Sequence, residues 1–552
     1  MKHSRLVVFV GTACLPHLAL AGGLLLPGSG AISTARAGAG VASADDGEAI
    51  SLNPAGIAKS SGNMITLSAA MLSYAMEFQR RGTYDPVAGE SYDYAGQPFA
   101  AEQNEANPPL GFGSIVIVPV ISFVTDLGDL VPGLHLGLGL YAPNSYPFRD
   151  MCTKQPAGCQ KYVFNNDATQ PPPARYDIMK QEAAVILPSL DVAYRIVPSL
   201  DLGLRLSAGH AQFKSTTALW GTATPNYEED IKKDAVFSVD ATDSFVPGFG
   251  VGVAFRPTPN IELGANYSSE LDIHARGDAR SQLGPSAGLP GFQTAIVPVP
   301  DDSARCQAGG TEASLKACVD LALPQNAQIA GRYKFLDAAG KLRGDVELDL
   351  GWENWGKSCS ADDLDSGSCT SPGDYRVVVD AQAMIGAVPG GLPLNTSIVP
   401  HGLKNSYTAR LGGSFHVPLG PPREHEDGSE IIVRGGVGYD TAMAKAGWFR
   451  ADLDGAAHTT LAAGASLRTG RFEIDVGGGA ILTGKQSNPN VGGGAEPCNP
   501  TATMQGCGTA ERQGPDPINP LLPANTQAES PVSQGDYKSH YLMFTLGVST
   551  WF

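Results

Sequence analysis

Leu200-Asp201-Leu202-Gly203-Leu204-Arg205-Leu206-Ser207-Ala208-Gly209 decides the fold. Leu200, Leu202, Leu204, Leu206 and Ala208 share one face of an extended chain, and Asp201, Gly203, Arg205, Ser207 and Gly209 share the other. A period of two is the mark of a β-strand. The pattern recurs. Ile261, Leu263, Ala265, Tyr267, Leu271 and Ile273 oppose Glu262, Gly264, Asn266, Ser268, Glu270, Asp272 and His274. Leu342, Val346, Leu348, Leu350 and Trp352 oppose Arg343, Asp345, Glu347, Asp349 and Glu353. Ile474, Val476, Ala480 and Leu482 oppose Glu473 and Asp475.

Soluble sandwiches also alternate, so strand length and loop length decide. Many of these segments run to about 12–16 residues, where globular strands average about 5–6. A tilted strand needs about 9–11 to cross a bilayer's hydrocarbon. Fourteen strands are predicted, near 63–78, 111–125, 133–143, 180–197, 199–214, 243–256, 259–276, 318–335, 341–356, 402–418, 430–441, 457–468, 470–484 and 538–552. Even-numbered connections are mostly short, with the polar 419–429 an exception; odd-numbered ones are mostly long and rich in Gly, Pro and Asp. Short turns at one end and long loops at the other are the outer-membrane pattern. In lipid no strand edge can stay open, so the expected fold is all-β: a closed, fourteen-stranded antiparallel transmembrane barrel. The final strand agrees. Leu542, Phe544, Leu546, Val548 and Phe552 share a face, and the terminal Phe552 suits a signal for barrel-assembly machinery.

The 552 residues carry 38 basic and 55 acidic side chains, a net −17. No basic footprint for nucleic acid is present. Lys2 and Arg5, the apolar run Leu6 to Leu20 and Ala19-Leu20-Ala21 read as a secretory signal over 1–21. The remaining cysteines form close pairs: Cys152 with Cys159, Cys306 with Cys318, Cys359 with Cys369, Cys498 with Cys507. The clustering favours four local disulfides in the long extracellular loops of an exported protein; metal-ligand spacing is missing.

Residues 22–60 break the alternation. Ala35-Arg36-Ala37-Gly38-Ala39-Gly40-Val41-Ala42 is dominated by small side chains; Asp45-Asp46 and Asn53-Pro54-Ala55-Gly56 follow. Such a segment can pack tightly inside another structure, and Asn53 before Pro54 disfavours helix. An internal plug and a periplasmic tail both fit. The barrel then occupies 61–552. The carboxylates Asp345, Glu347, Asp349 and Glu353 line one face and are expected to pair with inward arginines such as Arg332, Arg343 and Arg410. Asp362-Asp363-Leu364-Asp365-Ser366-Gly367 lacks the distant Glu of a calcium loop and reads as a solvated loop.

The segment with Asp45, Asp46, Asn53, Pro54 and Ala55 resembles the N-terminal hatch of the FadL (OMPP1/FadL/TodX) family of transporters of long-chain fatty acids and hydrocarbons. Leu323-Pro324-Gln325, Ala193-Tyr194-Arg195, Gly248-Phe249-Gly250 and Tyr267-Ser268-Ser269-Glu270 add to the likeness, which runs from about residue 28 onward. The resemblance implies a lumenal hatch with a gating role for Asp45, Asp46, Asn53, Pro54, Ala55 and Gly56. It also implies an apolar pocket above the hatch, and a bent third strand through which ligand leaves sideways into outer-membrane lipid. Gly137, Gly139, Tyr141, Pro143 and Asn144 fall on that strand, and Pro143 cannot donate a ladder bond. The expected function is passive outer-membrane transport of a hydrophobic ligand by a monomer, without cofactor, metal or catalysis. A lipase- or protease-type barrel enzyme and a general diffusion porin are the alternatives. No nucleotide-binding loop occurs, and no Gly-x-Ser-x-Gly elbow stands at a strand-to-helix turn.

Overall fold

The computed structural model describes residues 26–143, 145–152, 170–221, 229–289, 291–386, 391–420, 428–488 and 535–552. The predicted signal, Cys159, Cys498, Cys507 and Asn144 lie outside the described residues.

The wall is built from β1 (Asn63–Arg80), β2 (Ile115–Thr125), β3 (Leu134–Tyr141), β4 (Lys180–Val197), β5 (Leu200–Trp220) and β6 (Asp234–Thr258). Two interrupted strands follow: β7 (Ile261–Ser268 and Leu271–Leu283) and β8 (Leu315–Leu323 and Asn326–Leu336). β9 (Leu342–Glu353), β10 (Ser406–Pro418), β11 (Glu430–Asp440), β12 (His458–Thr469), β13 (Phe472–Ser487) and β14 (Gly535–Trp551) complete it. Every neighbouring pair is antiparallel, and β14 pairs β1 from Trp551↔Met64 to Gly535↔Arg80, which closes the cylinder. All fourteen predicted strands are present. Asn63 and Phe552 exchange backbone hydrogen bonds, so both ends of the cylinder's chain lie together at the short-turn end.

Alternation does the sorting. Leu202, Leu204, Leu206, Leu348, Leu350, Leu411, Phe544 and Leu546 stand exposed on the outer face. Asp201, Arg205, Glu347, Asp349, Glu473 and Asp475 are buried on the inner one. In water that arrangement would be inside-out; in hydrocarbon the apolar face is the solvated one.

One expectation is corrected. β7 was expected to keep a single apolar face from Ile261 to Ile273. Ile261 and Leu263 do point outward, but Ile273 and Ala275 are buried inside, while Asp272 and His274 are exposed. The break at Ser269–Glu270 reverses the facing. Beyond it polar side chains go outward and apolar ones fill the interior, the facing expected of a wall that rises out of the hydrocarbon. Phe237, Val239, Ala241, Leu315 and Val319 join that upper core. The strand Asp374–Ile385 carries the wall higher by pairing with the upper piece of β8.

Two of the expected disulfides are formed, Cys306–Cys318 and Cys359–Cys369, and Cys152 is also disulfide-bonded. The acidic stretch after Ser360 is a short helix, α3 (Ala361–Ser366), capped by the Ser360 hydroxyl and ended by left-handed Gly367. Its predecessors, α1 (Ala31–Ala35) and α2 (Ala49–Leu52), belong to the segment that precedes β1.

Candidate functional site

The leading segment, 26–60, packs against the inward faces of the wall. α1 touches β11 to β14 and β1, and the 3-10 turn Pro54–Lys59 touches β3 to β6. Small side chains make the approach possible: Ala31, Ala35, Ala37, Ala39, Ala42 and Ala55 are all buried. The wall answers with glycine. A Cβ at Gly203 would stand 2.2 Å from the Ala55 nitrogen, and one at Gly252 2.1 Å from Asn53 Oδ1, so neither position has room for a side chain.

Hydrogen bonds then seat the segment. The Asn53 amide donates to the carbonyls of Val41 (2.8 Å) and Val253 (3.0 Å), and its oxygen accepts the Ala55 N–H. Glu48 accepts the N–H groups of Ile32 and Ser33. Asp46 accepts the Glu48 N–H, whereas Asp45 is exposed. Burial, then the adjacent Glu48 carboxylate, pushes the Asp46 carboxyl well above the ordinary range.

The acidic row on β9 is a clamp for this segment. Arg36 pairs with Asp345 (2.7 Å) and Glu347 (2.8 Å). Asp349 accepts the N–H groups of Gly40 and Val41, and Glu347 those of Ala42 and Ser43. Arg332 joins Asp345 to Glu262, and Lys59 adds a 3.1 Å contact to Glu262. The expected pairing with Arg332 holds for Asp345. Arg343 instead pairs with Asp337 in the β8–β9 turn, Arg410 with Asp440, and Glu353 accepts from the Trp355 indole. Arg36 was missed as a partner, although three carboxylates at alternate positions of one inward face call for donors from whatever fills the lumen.

Above the segment lies a cavity of about 970 Å³, counted to its open mouth. Leu52, Tyr141, Leu187, Phe249, Leu271 and Arg205 line it. Arg205 is buried. It donates to the carbonyls of Ile50 (2.7 Å) and Ser51 (3.0 Å) and to Ser268 Oγ (2.7 Å), and its Nε has no hydrogen bond. No carboxylate lies within ion-pair distance of it among the described residues.

The third strand ends at this level. β3 follows its neighbours as far as Tyr141, paired with Val120 of β2 and Leu187 of β4, and then leaves the ladder. The chain rejoins β4 at Arg149–Asp150. Ala142 and Pro143 line the cavity at the break. Gly137 and Gly139 face inward as expected: a Cβ on Gly139 would meet Ile50 at 2.9 Å, and one on Gly137 would meet Asp191 at 3.2 Å.

Proline marks the same height along the neighbouring strands. Pro119 of β2 is next in register after Val120, which pairs with Tyr141; Pro188 of β4 pairs with Leu140; Pro247 of β6 pairs with Ala208; Pro324 interrupts β8. Each lacks the N–H that would donate to a ladder. β9 to β14 carry proline only at Pro418, the end of β10.

A second cavity, about 870 Å³ to its mouth, lies towards the long-loop end. Phe213, Phe237, Val239, Val319, Val377 and Val379 form its walls. Asp177, Arg450 and Asp452 close one side. Arg450 lies 2.5 Å from Asp177 and 3.1 Å from Asp452, and His401 lies 2.8 Å from Asp452. Burial outweighs Arg450 at Asp177 and pushes its carboxyl up to about 6, with Asp452 adding repulsion. At Asp452 burial acts in the same sense, but Arg450 and His401 overcome it and hold that carboxyl below the ordinary range. No cluster that could hold a metal ion occurs among the described residues.

These features bear comparison with known proteins. A family model described as outer membrane protein transport protein (OMPP1/FadL/TodX) matches residues 12–376. A search of the curated proteins returns no match. Among solved structures, a Pseudomonas aeruginosa FadL homologue superposes with a TM-score of 0.60 at 15% identity, covering 96% of this chain and 100% of that one. The Ralstonia pickettii toluene transporter TbuX and the P. putida toluene transporter TodX each give 0.54 at 13% identity, covering 96% of this chain and 99% of theirs. Identities at this level speak for the fold.

Proposed function

Since the chain belongs to the OMPP1/FadL/TodX family of outer membrane transport proteins, we propose that it carries long-chain fatty acids or related hydrocarbons passively across the outer membrane. The observation that carries this reading is the lower cavity. It is floored by the leading segment, walled by apolar side chains such as Tyr141, Leu187, Leu271 and Leu323 together with polar ones such as Arg205, Asn266 and Gln328, and reaches the break in β3. Residues 26–60 act as the hatch, and Asp46, Asn53, Pro54, Ala55 and Gly56 hold its seat. A hydrophobe enters from the long-loop end, rests first in the upper cavity, then occupies the lower one. It leaves between β2 and β4, where Ala142 and Pro143 lie off the ladder. Arg205 supplies a cation to a ligand carboxylate, at the cost of its bonds to the hatch carbonyls of Ile50 and Ser51. Ligand entry thereby loosens the hatch. No energy source is needed beyond the ligand gradient.

An ionic porin is the poorer reading because the lumen is packed by the leading segment. An enzyme is poorer too. Ser414, His416 and Glu430 do stand in series, at 3.3 and 3.4 Å, but they line neither cavity described above. The partners of this reading are the hydrophobic ligand, outer-membrane lipid and barrel-assembly machinery, with the protein acting as a monomer. The test is uptake of labelled oleate by Gram-negative cells that lack their own long-chain fatty-acid transporter. Expression of the protein raises uptake, and Ser414→Ala leaves it unchanged. Unaltered uptake with folded barrel in the outer membrane overturns the proposal.

A further inference from the structure

The wall has a second weak place at the height of the β3 break. The lower piece of β7 pairs with β6 from Ile261↔Thr258 to Ser268↔Gly250, and the upper piece from Arg276↔Thr242 to Leu283↔Ala235. Between them, Asp243–Phe249 of β6 and Ser269–Ala275 of β7 form no ladder pair; one backbone bond, from Ser269 N–H to the Phe249 carbonyl, joins them. Side chains stitch the rest. The Asp243 carboxylate accepts the N–H groups of His274 (2.8 Å) and Phe245 (3.0 Å), and Ser269 Oγ accepts the Phe249 N–H (2.9 Å). Lipid cannot satisfy a bare N–H, so these two side chains stand in for the missing ladder.

Both strands reverse their facing across this seam. Val251 and Val253 point outward below it, while Val239 and Ala241 are buried above it, as with Leu263 and Ile273 on β7. The register between β5 and β6 also shifts by one residue between Gly209 and Ala211. On the inner side, Ser269 and Leu271 line the lower cavity. A Cβ on Gly248 would meet Leu271 Cδ2 at 2.5 Å, so the Leu271 side chain lies across the seam. On the outer side, Phe245 and Phe249 are 66% and 46% exposed.

We propose that this seam is a second lateral outlet, through which an uncharged hydrophobe passes from the lower cavity into the outer leaflet by displacing Leu271. The inference rests on the transport reading. It departs from that reading in giving the cavity two side exits, one at β3 and one between β6 and β7. The Asp243 carboxylate at the seam disfavours an anion, so the second exit selects neutral ligands over fatty-acid anions.

Bridging each opening tests it. Asp243 and Ala275 are the next register pair beyond Thr242–Arg276, and Pro119 and Ala142 the next beyond Val120–Tyr141. The variants D243C/A275C and P119C/A142C, and the four-cysteine combination, are bridged with dibromobimane, whose fluorescence reports the bridge. Uptake of naphthalene and of oleate is compared before and after bridging, with wild type treated in parallel. Heat-modifiable migration reports the folded barrel. The proposal predicts that bridging the seam lowers naphthalene uptake, and that the unbridged variant, which lacks the Asp243 carboxylate, passes oleate more readily than wild type. It also predicts that naphthalene uptake falls to the no-transporter level only when both openings are bridged. Naphthalene uptake unaffected by the seam bridge, in both the wild-type and the β3-bridged background, overturns it. A wild-type barrel that takes up neither compound overturns the transport reading itself, and the outlet with it.

Discussion

Arg36 is held between Asp345 and Glu347 with almost no solvent contact, and a buried pair is least forgiving when one partner is removed. Arg36→Met leaves the Glu347 carboxylate without a cation and Asp345 with Arg332 alone. A loss of about 3–5 kcal/mol is expected for such a break, located in the hatch because the barrel ladders do not depend on it. Hydrogen exchange should show faster exchange over 31–43 with little change in β10 to β14; uniform protection throughout would count against the clamp. Arg205 separates ligands by charge. Arg205→Gln should weaken binding of palmitate more than of hexadecane, measured by displacement of a fluorescent hydrophobe; equal loss for both would remove its role as a carboxylate receptor. Asp177 sets a pH response. Its carboxyl is raised to about 6 by burial, so its protonated form favours the folded loop, and that contribution is present below the ordinary carboxylate range and lost as pH rises through 6. Protection of residues 172–178 should therefore fall between pH 4 and 6 and level off above, and Asp177→Asn should flatten the profile.

At the scale of the element, the leading segment meets β3 at Gly137, at Gly139 and through His135, which lies 3.1 Å from the Ser60 carbonyl. Gly139 faces Ile50, and no side chain larger than hydrogen fits without displacing the Ile50 side chain of α2. Gly139→Trp should shift the hatch and reduce uptake while the barrel still assembles and migrates as folded; undiminished uptake would contradict the coupling. Pro54→Ala, which frees the turn after Asn53, should act in the same direction. Much of this was legible beforehand. The small-residue run, Asn53-Pro54-Ala55 and inward Gly137 and Gly139 all pointed to close packing, and the strand positions followed from a period of two. The reversal within β7 was not legible. Ile273 continues the parity of Ile261 in sequence, and only the insertion of an unpaired Ser269–Glu270 against a bulged β6 turns it inward. A period-two pattern carries no mark of where the hydrocarbon stops. Nor could the β9 carboxylates be assigned from sequence, since their partner Arg36 lies 309 residues away from Asp345.

The whole molecule divides into a firm half and a weak half. β9 to β14 and β1 are joined by long ladders, interrupted by a single register shift between Leu482 and Gly484. β2 to β8 carry the prolines, the β3 break and the side-chain seam, and the lower cavity opens towards these faults. Lipid must meet every fault in a wall, so faults are tolerated only where something else satisfies the backbone. Their concentration around one cavity is what separates a side exit from chance irregularity. The lumen below the cavity is packed by 26–60, so small hydrophiles are expected to be excluded. The most direct test follows entry of labelled oleate and labelled glucose together, in Gram-negative cells lacking both general porins and long-chain fatty-acid transporters. The account predicts that expressing this protein admits oleate and leaves glucose excluded. Glucose entry comparable to that given by a porin, or no gain in oleate, would contradict it.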